Sequence, residues 1–187
     1  MKTVFLANGK RGITYLALYN GEHVVIKQKN PHSTALQTLA NEANWLHILN
    51  KKGIGPKFIA HERGNLMMEY IAGVLFEEWL EKQKSEKIIF RVVKDLFEQC
   101  YTMDKLQVDK KEMHKPYKHI IVRRNKPIMI DFERCKQTVK PSNVTQFCQY
   151  LRKLGFAVKK DNLKVALRKY KKTYDLSAFE EVVSFFF

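Results

Sequence analysis

A lysine inside an apolar strand must deliver its ammonium to an anion, because burying that charge unpaired is costly. The stretch His23–Lys29, "HVVIKQK", carries such a lysine at Lys27, and Glu42 follows fifteen residues later inside a helical pattern. Five antiparallel strands with one helix between the third and fourth would set Glu42 opposite Lys27. That pair either presents an ammonium to a phosphate or forms a structural salt bridge with no ligand. Asp131 closes the apolar run of "KPIMID" and is followed by Phe132-Glu133. A carboxylate on a strand end facing a cleft is a natural Mg²⁺ ligand beside phosphates. A lone aspartate in that place equally often hydrogen-bonds a turn.

Two loops add to these three side chains. Gly9-Lys10-Arg11-Gly12 offers backbone amides and two cations to phosphate oxygens, although an ordinary hairpin turn needs no such role. It is not the G-x-x-x-x-G-K-[ST] phosphate loop, because a strand and not a helix follows it. "LMMEYIAG", Leu66 to Gly73, ends a strand in Glu69-Tyr70-Ile71 and runs into a connector. Backbone groups there can meet a planar base, and the methionine pair serves equally well as core.

The elements that must position these residues read as a sheet-rich half and a helix-rich half. Strand formers fill Thr3–Leu6, Ile13–Tyr19 and His23–Lys29, with Asn20-Gly21 as a strong hairpin signal. Thr34 and Gln37 form a capping box for a helix through about Asn50, whose apolar positions are Leu36, Leu39, Ala43, Leu46 and Leu49. A second hairpin turns at Arg63-Gly64-Asn65. After Ile71-Ala72-Gly73 helices dominate: Phe76–Glu81, a long one from Ser85 to about Leu106, and further ones from Ser142 to the end. Two brief strands, Ile120–Arg123 and Ile128–Asp131, interrupt them. The expected fold class is therefore α+β, with residues 1–70 as one lobe and 71–187 as a helical second lobe.

Composition narrows the partners. The chain has 187 residues and a formal net charge of +15, and residues 105–126 and 152–172 supply 14 of those charges. A basic surface of this size suits RNA, another polyanion or an acidic protein, or else it is a solvated helix face. No segment approaches the run of about 18 apolar residues that spans a bilayer, and Met1–Leu6 lacks a signal-peptide pattern. Three unclustered cysteines suggest reduced thiols, so a cytoplasmic location without membrane contact is expected.

The order of glycine loop, strand lysine, helix glutamate, methionine-rich connector and strand-terminal Asp-Phe resembles the protein kinase-like fold. It is most similar to the small atypical kinases of the RIO and KEOPS-kinase type, within a clan that includes lipopolysaccharide kinases. The resemblance spans roughly residues 3–135. It implies a two-lobed fold with a small antiparallel sheet and one helix in the N-lobe and a reduced helical C-lobe. "VVIK" is similar to the family's third-strand V-A-I-K, which implies that Lys27 meets the α- and β-phosphates of ATP and that Glu42 orients it. Gly9 and Gly12 stand for the glycine loop, and "MEYIAG" for the hinge whose Glu69 and Ile71 backbone groups meet adenine. "IDFE" stands for I-D-F-G, with Asp131 holding Mg²⁺.

The pattern departs in the catalytic loop. "KKEMHKPYKHIIV" carries neither the aspartate expected near Met113-His114 nor the asparagine expected near Lys118-His119. Glu112 is the nearest carboxylate and becomes the candidate base. His119 is the second metal candidate. The resulting expectation is a serine/threonine protein kinase-like phosphotransferase binding ATP and Mg²⁺ between its lobes, acting on a protein or on itself. The alternatives are a nucleotide-binding pseudokinase acting as an interaction module, and a basic RNA-associated protein on a kinase scaffold. Glu133 replaces the glycine of Asp-Phe-Gly and allows that segment less backbone freedom.

Overall fold

The computed structural model describes residues 2–34, 38–156 and 160–187, the side chains of residues 160 and 161 excepted. The chain is mixed α+β and divides into two compact units. One comprises residues up to Gly73 together with Ile128–Cys135; the other comprises Val74–Pro127 and Lys136–Phe187.

The first unit is built on a five-stranded antiparallel sheet in the order β1-β2-β3-β5-β4. Its strands are β1 (Thr3–Asn8), β2 (Gly12–Tyr19), β3 (Glu22–Lys29), β4 (Phe58–Glu62) and β5 (Asn65–Glu69), with α1 (Thr38–Asn50) between β3 and β4. Asn20-Gly21 turns β2 into β3 with φ of 50° and 81°, the paired left-handed geometry that a two-residue hairpin requires. Arg63-Gly64 does the same between β4 and β5. The expected capping box of Thr34 and Gln37, with Leu36 as first apolar position, rests on residues 35–37, outside those described.

Alternation along the strands separates two faces of this sheet. Val24 and Ile26 pack with Ala17 on one face, joined by Tyr15, Ile59 and Met67. Val25 and Lys27 point to the other, where Leu16 and Thr14 oppose them from β2, and Met68 and Leu66 from β5. Along α1, Leu39, Glu42, Ala43, Leu46 and Leu49 are buried, so the glutamate lies within the apolar stripe. Asn50 ends this helix by donating to the carbonyls of Ile54 and Pro56, each at 3.0 Å, while its Oδ1 accepts from the Phe58 amide at 2.7 Å. One side chain thereby sets the turn into β4.

The second unit contains β6 (Val74–Leu75), α2 (Phe76–Lys82), α3 (Glu86–Lys105), β7 (Val108–Asp109) and β8 (Ile120–Arg123). β9 (Lys126–Met129) carries the chain back into the first unit; β10 (Lys136–Gln137), α4 (Asn143–Lys153), α5 (Lys160–Thr173) and α6 (Leu176–Val183) come after it. β6 pairs with β8, and β10 with β7, all antiparallel. Ser85 stands at the start of α3, but its hydroxyl makes no capping bond; its carbonyl takes the amides of Ile88 and Ile89. α4 is capped from a distance. Asp104, at the end of α3, accepts from the amides of Asn143 and Val144, from the Asn143 side chain and from the Tyr170 hydroxyl. Burial raises the Asp104 carboxyl even though these bonds oppose the shift. The terminal "SFFF" packs back: Phe186 is buried against Phe97, while Phe187 stays half exposed beside Phe90. Among the described residues no helix is long and apolar enough to cross a membrane.

Candidate functional site

The first unit brings Lys27, Glu42 and Asp131 together. Lys27 Nζ donates to both carboxylate oxygens of Glu42, at 2.7 and 2.9 Å, and stands 3.9 Å from Asp131 Oδ1. Strand alternation sends Lys27 to the helix side of the sheet, and the helical period aims Glu42 at it. Burial would lower the lysine's pKa, but the carboxylates of Glu42 and Asp131 outweigh it and hold the ammonium above its ordinary value. Burial raises the Glu42 carboxyl, Lys27 pulls it down, and Asp131 adds to the rise; the net shift is upward.

Asp131 is not the terminal residue of a strand. β9 stops at Met129, and Asp131 takes a left-handed conformation with φ of 64°. The next residue is firmly anchored. Phe132 is fully buried, and its ring lies so close to Gly55 that a Cβ on the glycine would stand 2.9 Å from it. The Phe132 amide points at Glu42 Oε1 at 3.4 Å. Asn41 Nδ2 donates to the carbonyls of Glu133 and Cys135, at 2.8 and 3.0 Å, and Trp45 Nε1 donates to Cys135 O at 2.9 Å. Two α1 side chains thus hold the backbone just beyond Asp131, which keeps 30% of its side chain exposed.

The glycine loop joins the same cluster. The Gly9 amide donates to Gly12 O at 2.9 Å, and Asn30 braces the loop through Asn8 Oδ1 and Gly9 O. A Cβ on Gly12 would sit 3.1 Å from Gln28 O, so any residue other than glycine must push that carbonyl aside by a few tenths of an ångström. Arg11 Nη1 reaches Glu133 Oε1 at 2.6 Å, so Arg11 neutralises a carboxylate, while Lys10 remains exposed.

Beside Lys27, the half-buried Leu16 and Val25 and the buried Met68 share one face of the sheet. At its edge, the Glu69 amide is engaged by Lys57 O at 2.9 Å. Ile71 is buried, and its amide and carbonyl make no hydrogen bond among the described residues.

Glu112 and His119 belong to the second unit, in the segment between β7 and β8. Lys111 and Glu112 are both left-handed, with φ of 64° and 56°, and the Glu112 carbonyl accepts from the Lys115 amide at 2.8 Å. Met113 and Pro116 are buried and anchor the loop, and both Glu112 and His119 are half-buried. Upstream, Asp109 and Lys110 are buried although they open a charge run. Asp109 takes the Lys111 amide at 3.0 Å and Lys111 Nζ at 3.4 Å, and Asn143 Oδ1 accepts from the Lys110 amide at 2.9 Å. Neither residue stands out in the sequence, where "DKKE" reads as solvated. Asn41 and Trp45 are equally silent, since their partners are carbonyls about ninety residues away.

Among the described residues no three His, Cys, Asp or Glu side chains gather into a metal site. Mg²⁺ beside phosphates needs one or two carboxylates, and Asp131 offers a part-exposed hard oxygen donor. The imidazole of His119 is a softer donor than Mg²⁺ ordinarily takes. No protein-family model matches the chain, and no curated protein matches it either.

Proposed function

We propose that this chain is an atypical kinase-like phosphotransferase, of two-lobed kinase-like fold, that binds ATP with Mg²⁺. Its acceptor is a serine or threonine hydroxyl of a protein, its own or another's. The observation that carries the reading is Lys27, held by Glu42 and 3.9 Å from the carboxylate of Asp131. An ammonium has three N–H donors; Glu42 takes two, and the third is left to a phosphate oxygen. Glu42 acts as a positioning residue, and its carboxylate keeps the lysine charged. Asp131 supplies the oxygen that holds the cation. Leu16, Val25 and Met68 offer an apolar wall to a planar base, and the Ile71 backbone offers a donor and an acceptor beside it. The amides of the Gly9–Gly12 loop and the exposed Lys10 add attraction for phosphates. When bound, Mg·ATP supplies the transferable phosphoryl group and much of the charge neutralisation. Glu112 is assigned to take up the proton of the acceptor hydroxyl.

A second reading, a nucleotide-binding interaction module without transfer, draws on one observation. The segment from Glu112 to His119 carries no aspartate and no asparagine. Incubation with γ-labelled ATP separates the two. The first reading expects label on the protein or on a generic substrate, lost in both Lys27→Ala and Asp131→Ala. Tight ATP binding with no label favours the second. No ATP binding by the folded wild type overturns both.

A further inference from the structure

α5 places Lys164, Arg168 and Lys172 four residues apart, and all three are exposed. Four residues of helix rise about 6 Å, so these cations form a nearly straight row. With Arg152 of α4 they line a groove of about 590 Å³ in the second unit. Among the described residues no acidic side chain lines it. None of the four cations is in an ion pair among the described residues, unlike the neighbouring Lys169, which pairs with Glu181 at 2.6 Å. Lys171, also in the wall, is committed elsewhere: it donates to the carbonyls of Lys140 and Pro141, and burial lowers its pKa. Gln149, Thr145, Leu163 and Leu167 complete the described lining, and the Thr145 hydroxyl is buried with no partner among the described residues.

We propose that the α4–α5 groove binds the phosphate backbone of a single-stranded nucleic acid without reading its sequence. The chemistry selects this occupant over an acidic peptide. Two guanidinium forks match pairs of phosphate oxygens. An evenly spaced cation row suits a backbone that carries one charge at every step, whereas peptide carboxylates would have to recur at a matching interval. Among the described residues no aromatic ring lines the groove, so they offer no platform on which bases could stack, and affinity comes from phosphates. The site is independent of the nucleotide reading and survives its failure.

The test is binding of a fluorescein-labelled twelve-residue oligouridylate to the full chain across a KCl series. Each phosphate contact on a single strand contributes a slope of about −0.7 in log K against log salt. Four contacts therefore give a slope of about −3 for the wild type. Arg168→Ala with Lys172→Ala should weaken binding at least tenfold and flatten the slope by about 1.4. Lys87→Ala with Lys94→Ala, an equal loss of charge on exposed positions of α3, should change affinity less than threefold. Circular dichroism confirms that both variants are folded. Equal weakening by the two pairs overturns the groove and leaves only non-specific charge. Polyglutamate of the same length binding as tightly as the oligouridylate overturns the nucleic acid in favour of an acidic protein partner.

Discussion

Arg11 and Glu133 lie 122 positions apart in the chain and meet at 2.6 Å. One belongs to the loop between the first two strands, the other to the segment that carries Asp131. Their ion pair couples the candidate phosphate-binding loop of the first unit directly to the segment that carries the candidate metal ligand, without passing through the sheet.

Removing this pair should act on ligand binding more than on stability. Both side chains are partly exposed, 31% and 18%, and such pairs contribute about 0–1 kcal/mol. Arg11→Ala and Glu133→Ala are each expected to lower Tm by no more than a few degrees. Each should weaken ATP binding about three- to tenfold by calorimetry, and the exchanged pair Arg11→Glu with Glu133→Arg should recover most of it. ATP affinity unchanged in both single variants would refute the coupling.

Lys27 and Glu42 should behave in the opposite way. Glu42 is 1% exposed, so Lys27→Met leaves a buried carboxylate without its cation and costs about 3–5 kcal/mol. Lys27→Met with Glu42→Leu should return to within about 1.5 kcal/mol of wild type in urea unfolding while ATP binding stays lost. A double variant as unstable as the single one would mean that the cost lies in packing.

The pH dependence of stability rests on the same pair. The Lys27 pKa is raised above 10.5 in the folded state, so its contribution is complete below pH 10.5 and is lost as pH rises further. Glu42 is raised above 4.5, so the folded form retains its proton longer than the unfolded chain, and stability falls as pH climbs past 4.5. Urea midpoints of Lys27→Met should show the acid-side decline enlarged and the alkaline one reduced. A profile parallel to that of wild type contradicts this assignment.

Gly55 sits at φ of 85° with the Phe132 ring and Leu46 where a Cβ would go. Gly55→Ala meets backbone strain and overpacking together, each a destabilising effect, and should cost about 2–4 kcal/mol. Gly53, at φ of 69° with open space around it, carries only the backbone penalty. Gly53→Ala should therefore cost about 1 kcal/mol. Comparable Tm losses for the two variants would show that Phe132 yields readily.

The terminal phenylalanines differ in the same measurable way. Truncation after Ser184 removes the buried Phe186 and should cost about 3–5 kcal/mol, whereas Phe187→Ala should cost under about 1 kcal/mol. A truncated chain that melts within a degree or two of wild type would show that this packing contributes little.

Local periodicity carried a large part of this architecture. Asn20-Gly21 names its own turn because few residue pairs accept two left-handed conformations in succession. The pairing of Lys27 with Glu42 was legible because it needs only two periods, alternation along a strand and 3.6 residues per helical turn, with a short connection between them. Asp131 was legible as a residue type but not as a geometry. Its left-handed backbone precedes Phe132, which fills the space over Gly55, and no local pattern records either feature. The grip of Asn41 and Trp45 on the carbonyls of Glu133 and Cys135, and of Arg11 on Glu133, was decided by tertiary structure alone. Backbone carbonyls have no residue identity to read, and a contact closed across about ninety residues leaves no spacing in the chain.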